Sequence, residues 1–302
     1  MSTLEKNALA SNLHYSFSYL FKSVKVVSMN YDLRKKIIAS IYRAGSGHPG
    51  GALSAIDILE VLFKQFLKIS PQNLYSYNRD RFILSKGHAA PALYAIAESL
   101  GILNEGEGNG LRKFGTALQG HTDRNYLPWV EASTGSLGQG FSFGVGQALG
   151  FKLKNENNKI YVMCGDGEMQ EGQIWEGMML AAHHNLDNLC LILDYNKLQS
   201  DDLNSNINNL EPIREKFIAF NWKVEEIDGH KPHEIFHALS TFLKNKDAPT
   251  LIIAHTIKGK GISFMEGIPS WHGSVKLSRE DCEQALKLLG VTQKEIKGIL
   301  DV

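Results

Sequence analysis

The sequence predicts an α/β fold, a parallel β-sheet covered by helices on both faces, on three observations. Short runs such as "KIYVMC", "NLCLILDY" and "TLIIAH" are apolar at almost every position, as strands buried on both faces are. A helical pattern follows each buried strand, which is the alternation of parallel α/β units. No internal repeat, low-complexity segment or Pro/Gly linker divides the core.

In chain order, "DLRKKIIASIYRAG" has helical periodicity and stops at Gly45. "SAIDILEVLFKQFL" reads as a second helix, with Ser54 as N-cap and Asp57 in its first turn. "RFIL" is a short strand, and "GHAAPALYAIAESLG" a helix ending on Gly101. "GSLGQGFSFGVGQALGFKL" is Gly-rich yet apolar at helical spacing, which predicts a helix packed very close to a neighbour or ligand. "KIYVMC" is a strand running to Gly165, "IWEGMMLAAHH" a helix, and "NLCLILDY" another buried strand. "WKVEEI", the helix "PHEIFHALSTFLK" and the strand "TLIIAH" follow. Two short helices close the chain, one with Ser278 as N-cap and one capped by a threonine.

The chain has 302 residues, 43% hydrophobic and 21% charged, enough for a large core. Its 32 basic residues balance 32 acidic ones, so charge gives no case for nucleic acid or membrane as partner. No apolar run has the length of a membrane span. Cys164, Cys190 and Cys282 form no CxxC or zinc spacing and fit a reducing, cytoplasmic compartment. Residues 1–30 lack an apolar signal-peptide core and a cleavage site, and are expected to be an appended extension, with residues 31–302 forming the domain.

Chemistry concentrates after the buried strands, where ligands bind in such sheets. "GDG" follows one strand and "DYNKL" the next, so neighbouring strands would set Asp166 and Asn196 across one crevice. One carboxylate and one amide oxygen are hard ligands that suit Mg²⁺ completed by water and substrate phosphates. Gly165 and Gly167 let the backbone approach a diphosphate. Alone, GDG is more often a turn; a second loop after a second buried strand favours the metal. No Walker-type loop competes, and "GSLGQG" lacks the strand–turn–helix context of a dinucleotide motif.

His48, His88, His121 and His272 each sit within two residues of a glycine, in a loop or at an element start. Each alone is ambiguous; together they suggest a site handling the protons and oxyanions of a polyhydroxylated substrate. Lys86 and Lys258 would neutralise phosphate, although a lone lysine is usually a surface residue. His183 and His184 read as charge complements at a helix C-terminus.

These segments resemble a known family. The GDG…N spacing resembles the binding motif for thiamine diphosphate and its divalent metal. "GSGHPGG", "DRFILSKGHAAPALYA", "STGSLGQG", "GDGEMQEGQIWE", "LDNLCLILDYNKLQSDD" and "IKGKGISFMEGIPSWHG" resemble, in order from about Leu33 to about Leu277, the N-terminal half of transketolases. The resemblance implies the thiamine diphosphate-binding (PP-type) fold. It implies that Asp166, Asn196 and the carbonyl of Leu198 hold Mg²⁺ or Ca²⁺. Gly165, Gly167, Lys86, His88, Lys258 and His272 would surround the diphosphate, and Gly135, Ser136 and Leu137 would line the cofactor rings. His48, His121 and His272 would bind sugar hydroxyls and assist proton transfer. Glu171 and Glu176 match acidic positions of a subunit interface. The implied reaction moves a two-carbon ketol unit from a ketose, typically a sugar phosphate, to an aldose through a thiamine adduct.

Family transketolases are about twice this length. The part that binds the pyrimidine ring, with its activating glutamate and most phosphate-gripping arginines, has no counterpart here. The expectation is a half-enzyme that works with a complementary C-terminal subunit in an α2β2 assembly; a piece of a longer chain is the alternative. Rival readings are the α-type chain of a 2-oxo acid dehydrogenase, a 1-deoxyxylulose-5-phosphate synthase-like or branched-sugar enzyme, and a non-catalytic cofactor-binding regulatory chain.

Overall fold

The computed structural model describes residues 29–67 and 69–301. The expected extension at residues 1–30 lies outside them apart from Met29 and Asn30. Asn30 caps the first helix, its side chain accepting the N–H of Leu33 at 3.2 Å.

Five parallel strands form the sheet: β1 (Arg81–Leu84), β2 (Ile160–Gly165), β3 (Leu189–Tyr195), β4 (Lys223–Asp228) and β5 (Thr250–His255). Their spatial order is β1-β2-β3-β5-β4. The helices are α1 (Tyr31–Ala44), α2 (Pro49–Val61), α3 (Ala90–Ser99), α4 (Gln139–Leu153), α5 (Gly172–His183), α6 (Asn204–Ile207), α7 (Ile213–Ala219), α8 (Pro232–Lys244), α9 (Arg279–Leu288) and α10 (Gln293–Leu300).

Period-two alternation divides the sheet into two dry faces. Ile160, Val162 and Cys164 of β2, with Leu189, Leu191 and Leu193 of β3, pack under α4, α5 and α7. Tyr161 and Met163, with Cys190 and Ile192, pack against α1, α2, α3 and α8. That is why these runs are apolar throughout. Strand β4 is different: it lies at the sheet edge, and Lys223 and Glu226 are exposed. All three cysteines are free and buried.

The predicted strands and helices are present, with one correction. Helix α2 begins at Pro49, so Ser54 is an interior residue and not its N-cap, and Asp57 lies beyond the first turn. Proline at the first helical position is preorganised for a start. The two glycines after it are there for close approach: a Cβ on Gly50 would stand 2.7 Å from Lys258 Cγ, and one on Gly51 3.1 Å from His88 Nε2. The Ser54 hydroxyl is spent on Asp194 at 2.6 Å and on the carbonyl of Gly51 at 3.1 Å.

The Gly-rich helix α4 does pack closely. Added Cβ atoms would meet Ser85 Cα at 2.7 Å from Gly140 and Phe141 Cε1 at 2.9 Å from Gly177 of α5. Gly101 takes φ 70° after α3, as a helix-ending glycine should. Capping boxes at Ser278 and Thr292 start α9 and α10 as predicted.

Candidate active site

Every strand in a parallel sheet points its carboxyl end to the same side, so the loops after β1, β2, β3 and β5 gather at one edge. They deliver Lys86 and His88, Asp166 and Gly167, Asn196 and Leu198, and Lys258, to a single cleft. Its open volume is about 540 Å³, and Gly51, Leu137, Gly165 and His272 complete its wall. Neighbouring β2 and β3 pair Gly165 with Asp194, which sets Asp166 and Asn196 across the cleft as their spacing predicts.

Asp166 is 2% exposed. Its oxygens accept the backbone N–H of Gly167 at 2.8 Å and that of Lys197. Burial, and secondarily the Asp194 carboxylate, push its pKa up to about 6. No lysine, arginine or histidine stands within 4.0 Å of it among the described residues. Lys258 is the converse. It is 1% exposed, and its ammonium donates to the carbonyl of Leu198 at 2.6 Å and meets His272 Nδ1, both neutral groups. Burial lowers its pKa to about 7. Neither makes a direct ion pair, yet Lys258 draws the Asp166 pKa down and Asp166 draws that of Lys258 up. Two buried charges of opposite sign thus face each other across one cleft, and burial outweighs their attraction. Gln199 adds a buried Nε2 with no hydrogen-bond partner on the same wall.

Lys86 has a partner that sequence patterns do not disclose. Its ammonium pairs with Asp194, which is fully buried, and donates to the carbonyl of Gly51 at 3.2 Å. Burial opposes ionisation of Asp194, yet Lys86, Ser54 and Thr256 together hold its carboxyl below the ordinary range. Glu168 is a second group whose structural part no local pattern reveals. Its carboxylate ties three site loops together, accepting from Ser85, from the N–H of Gly138 at 2.8 Å and from the N–H of Gly165 at 3.1 Å.

The four histidines come together. Ring centroids are 5.4 Å apart for His48 and His88, 6.0 Å for His48 and His121, and 5.3 Å for His88 and His272. Gly135, at φ 139°, lies so close to His121 that a Cβ would be 2.9 Å from its ring. Burial first and nearby cations second lower all four imidazoles. His48 falls to about 4, with Arg112 next in effect, and His272 to about 3, with Lys258 next. His88 falls well below the ordinary value and His121 falls in the same direction. All four are neutral at pH 7. Neutral imidazole has one donor and one acceptor nitrogen, which suits hydroxyl groups. Arg112, which the sequence does not single out, reaches His48 Nδ1 at 3.3 Å, Ser46 at 3.1 Å and Ser274 at 3.0 Å, so Nδ1 is the acceptor there.

Among the described residues, no group of three or more His, Cys, Asp or Glu is arranged to hold a metal. A protein cation site here would rest on amide and carbonyl oxygens beside one carboxylate. Glu171 and Glu176, by contrast with Glu168, are exposed.

Residues 27–299 match the family model for the thiamine diphosphate-binding domain of transketolase. The chain belongs to the transketolase family. It is 43% identical over 248 residues to the 6-deoxy-6-sulfo-D-fructose transketolase subunit SqwG of Clostridium sp. (strain MSTE9), covering 82% of this chain and 90% of that protein. It is 38% identical over 254 residues to one of the subunits of the apulose-4-phosphate transketolase of Phocaeicola vulgatus, covering 84% and 90%. Against Homo sapiens transketolase it is 39% identical over 256 residues, 84% of this chain but 40% of that protein. The crystal structure of the Campylobacter jejuni transketolase superposes with a TM-score of 0.82 at 33% identity, over 92% of this chain and 46% of that one. The five-stranded sheet is thus the thiamine diphosphate-binding fold of transketolases. The chain has the span of the relatives named as subunits, and spans under half of the single-chain enzymes.

Proposed function

We propose that this chain is the diphosphate-binding subunit of a two-chain transketolase, moving a two-carbon ketol unit from a ketose to an aldose. The observation that carries the reading is Asp166 and Lys258, two buried opposite charges that face one cleft without a direct ion pair between them. A divalent cation answers the first and a diphosphate the second.

The residues fit that pair of ligands. Asp166, Asn196 and the carbonyl of Leu198 would hold Mg²⁺ or Ca²⁺, all oxygen donors. The Lys258 ammonium already stands on the Leu198 carbonyl, a cation at an oxygen meant for one. Gly165, Gly167, Lys258, His88 and His272 would enclose the diphosphate, with Lys86 contributing positive field from its pair with Asp194. Gly135, Ser136 and Leu137 would line the ring system. Once bound, thiamine diphosphate supplies the carbanion chemistry that breaks and forms the C2–C3 bond.

The chain's own part in turnover is done by His48, His121 and His272. Being neutral, His48 and His272, whose Nδ1 atoms meet Arg112 and Lys258, would each offer an Nε2–H to a sugar oxygen. His121 could both accept from and donate to a hydroxyl and relay its proton. Arg112 keeps His48 in the tautomer whose Nε2–H is free to point at substrate. The substrates are sugars, with sugar phosphates as the default.

A second chain, in an α2β2 assembly, would bring the pyrimidine-binding domain, its activating glutamate and most of the phosphate-binding arginines. Helix α4 supports this: it carries no acidic residue, is largely apolar and leaves Phe143 exposed, and Met179 and Leu180 are exposed on α5, the helix packed next to it. Glu171 and Glu176 are exposed on the same side of the sheet, as interface groups need to be. Residues 31–302 would form the cofactor-binding domain. Three buried free thiols suit the cytoplasm, and among the described residues no helix is long and apolar enough to cross a membrane.

The test is a pull-down of the C-terminally tagged chain from its own source, followed by native mass spectrometry with thiamine diphosphate and Mg²⁺. The expected result is a stoichiometric second chain with cofactor in the assembly. A homodimer carrying no second chain would overturn the two-chain reading.

A further inference from the structure

The loop after β5, residues 256–261, carries Lys258, and its backbone is gripped on both sides of that lysine. Both side-chain grips lead to one carboxylate. Asp57, in the body of α2, is 5% exposed and takes the Arg34 guanidinium in a two-pronged pair at 2.9 and 2.7 Å. Arg34 Nε then donates to the carbonyl of Lys260 at 3.0 Å. The second Asp57 oxygen also meets His230 Nδ1 at 2.8 Å. The other ring nitrogen, Nε2, lies 2.8 Å from the backbone nitrogen of Ile257.

That last contact fixes the tautomer. An amide N–H can only donate, so Nε2 is the bare nitrogen, and Nδ1 carries the proton that it gives to Asp57. The residue before Lys258 and the second residue after it are therefore both tied to Asp57. Between them the N–H of Gly259 donates to the carbonyl of Gly50, in the first turn of the same helix, at 3.0 Å. Gly261, at φ 96°, lets the chain pass Arg34: a Cβ there would stand 2.8 Å from Nε.

A buried arginine–aspartate pair by itself does no more than staple α1 to α2. Nothing in such a staple calls for a histidine from the turn after β4 whose far nitrogen captures a loop amide. We propose that Asp57, with Arg34 and His230, forms a positioning device for Lys258. It holds residues 257–260 so that the ammonium enters the cleft beside Leu198 and His272. The inference rests on the proposed diphosphate role of Lys258 and extends it to three residues that touch no ligand.

Two substitutions of His230 separate positioning from stapling. His230→Asn keeps a donor near the Nδ1 position for Asp57 and leaves the Ile257 N–H without an acceptor. His230→Gln keeps an acceptor near the Nε2 position for Ile257 and releases Asp57. The chain, reconstituted with its partner subunit, is compared in three measurements: amide hydrogen exchange of residues 256–261, thiamine diphosphate affinity by calorimetry with Mg²⁺, and the melting temperature. Loss of a group that orients a metal ligand typically costs roughly 10–100-fold in affinity, and a group that orients the lysine of the diphosphate site is expected to act on the same scale. The expected result is that His230→Asn speeds exchange of the loop and weakens thiamine diphosphate at least tenfold. His230→Gln should stay near wild type in both, whatever its melting temperature.

Equal behaviour of the two variants, or a loop whose exchange does not change in His230→Asn, overturns the proposal. A loosened loop with unchanged affinity also overturns it. A wild-type two-chain assembly that binds no thiamine diphosphate would instead sink the diphosphate reading of the cleft, and the exchange measurement would still decide whether the device holds the loop.

Discussion

Replacing Asp166 by asparagine tests the charge argument at its centre, because the free and liganded chains should respond differently. In the free chain the carboxylate is buried with no directly paired cation, the more distant Lys258 offsets only part of that burial, and its pKa rises from 3.8 to about 6. Two units correspond to roughly 3 kcal/mol of penalty on the ionised form at neutral pH. Asparagine removes that penalty. It also turns an NH₂ group toward one of the two backbone N–H donors, from Gly167 and Lys197, which costs about 1–3 kcal/mol. The two changes offset, so the free variant should melt close to wild type. Ligand behaves otherwise. At a hundredfold excess over Kd a bound ligand adds about 2.7 kcal/mol, or roughly 5 °C for a chain of this size. Calorimetry at pH 7.5 of the reconstituted two-chain enzyme with thiamine diphosphate and Mg²⁺ should show that shift in wild type and almost none in Asp166→Asn. An equal shift in both would refute the metal assignment. A free variant melting far below wild type would refute the claim that the carboxylate is kept for a ligand and not for stability.

Four other outcomes are expected. A metal must displace the Asp166 proton, so apparent Mg²⁺ affinity should fall by roughly tenfold per pH unit below about 6. In the free chain the sign is opposite: the folded state binds this proton more tightly than the unfolded one, so Asp166 costs stability as pH rises from 3.8 to about 6; titration calorimetry and melts across that range check both. Lys86→Met should destabilise by about 3–5 kcal/mol in urea unfolding, because it strands the Asp194 carboxylate in the core, and a change under about 1 kcal/mol would show that the pair is not what holds Asp194. His121→Ala should leave the ligand-induced melting shift intact and slow turnover of the reconstituted enzyme by roughly a hundredfold or more; wild-type rates would remove His121 from the reaction.

The strands are legible in the sequence because burial on both faces leaves an unbroken apolar run, which a half-solvated strand would not. The start of α2 is not. Gly50 and Gly51 look like loop residues in a sequence, and only the neighbours they admit, Lys258 and His88, explain them inside a helix. Asp166 and Asn196 stand out because each sits just past a strand, in a position with few structural duties. Asp194 is hidden because it is the sixth residue of an apolar strand, and its partner Lys86 lies 108 positions away. Arg112 and His230 share that problem: they act through contacts at long sequence separation, which no local pattern records. The histidine cluster is visible through neighbouring glycines, although its neutral state depends on burial and on cations from other loops. The kind of cofactor comes from motif resemblance and the family match, since spacing alone reaches only a metal and a phosphate.

Strand β4 carries one more consequence. Of the two edge strands it is the one that is partly exposed, and Glu226 there is already engaged by Arg214 and His255 at 3.1 Å each. A row of charges held in place along an unpaired rim repels an incoming strand. Growth of the sheet by strand addition, the common route to fibrils, is blocked on that side. The fully buried β1 lies at the other edge of the sheet, so the charged rim of β4 is the edge at which this protection is needed.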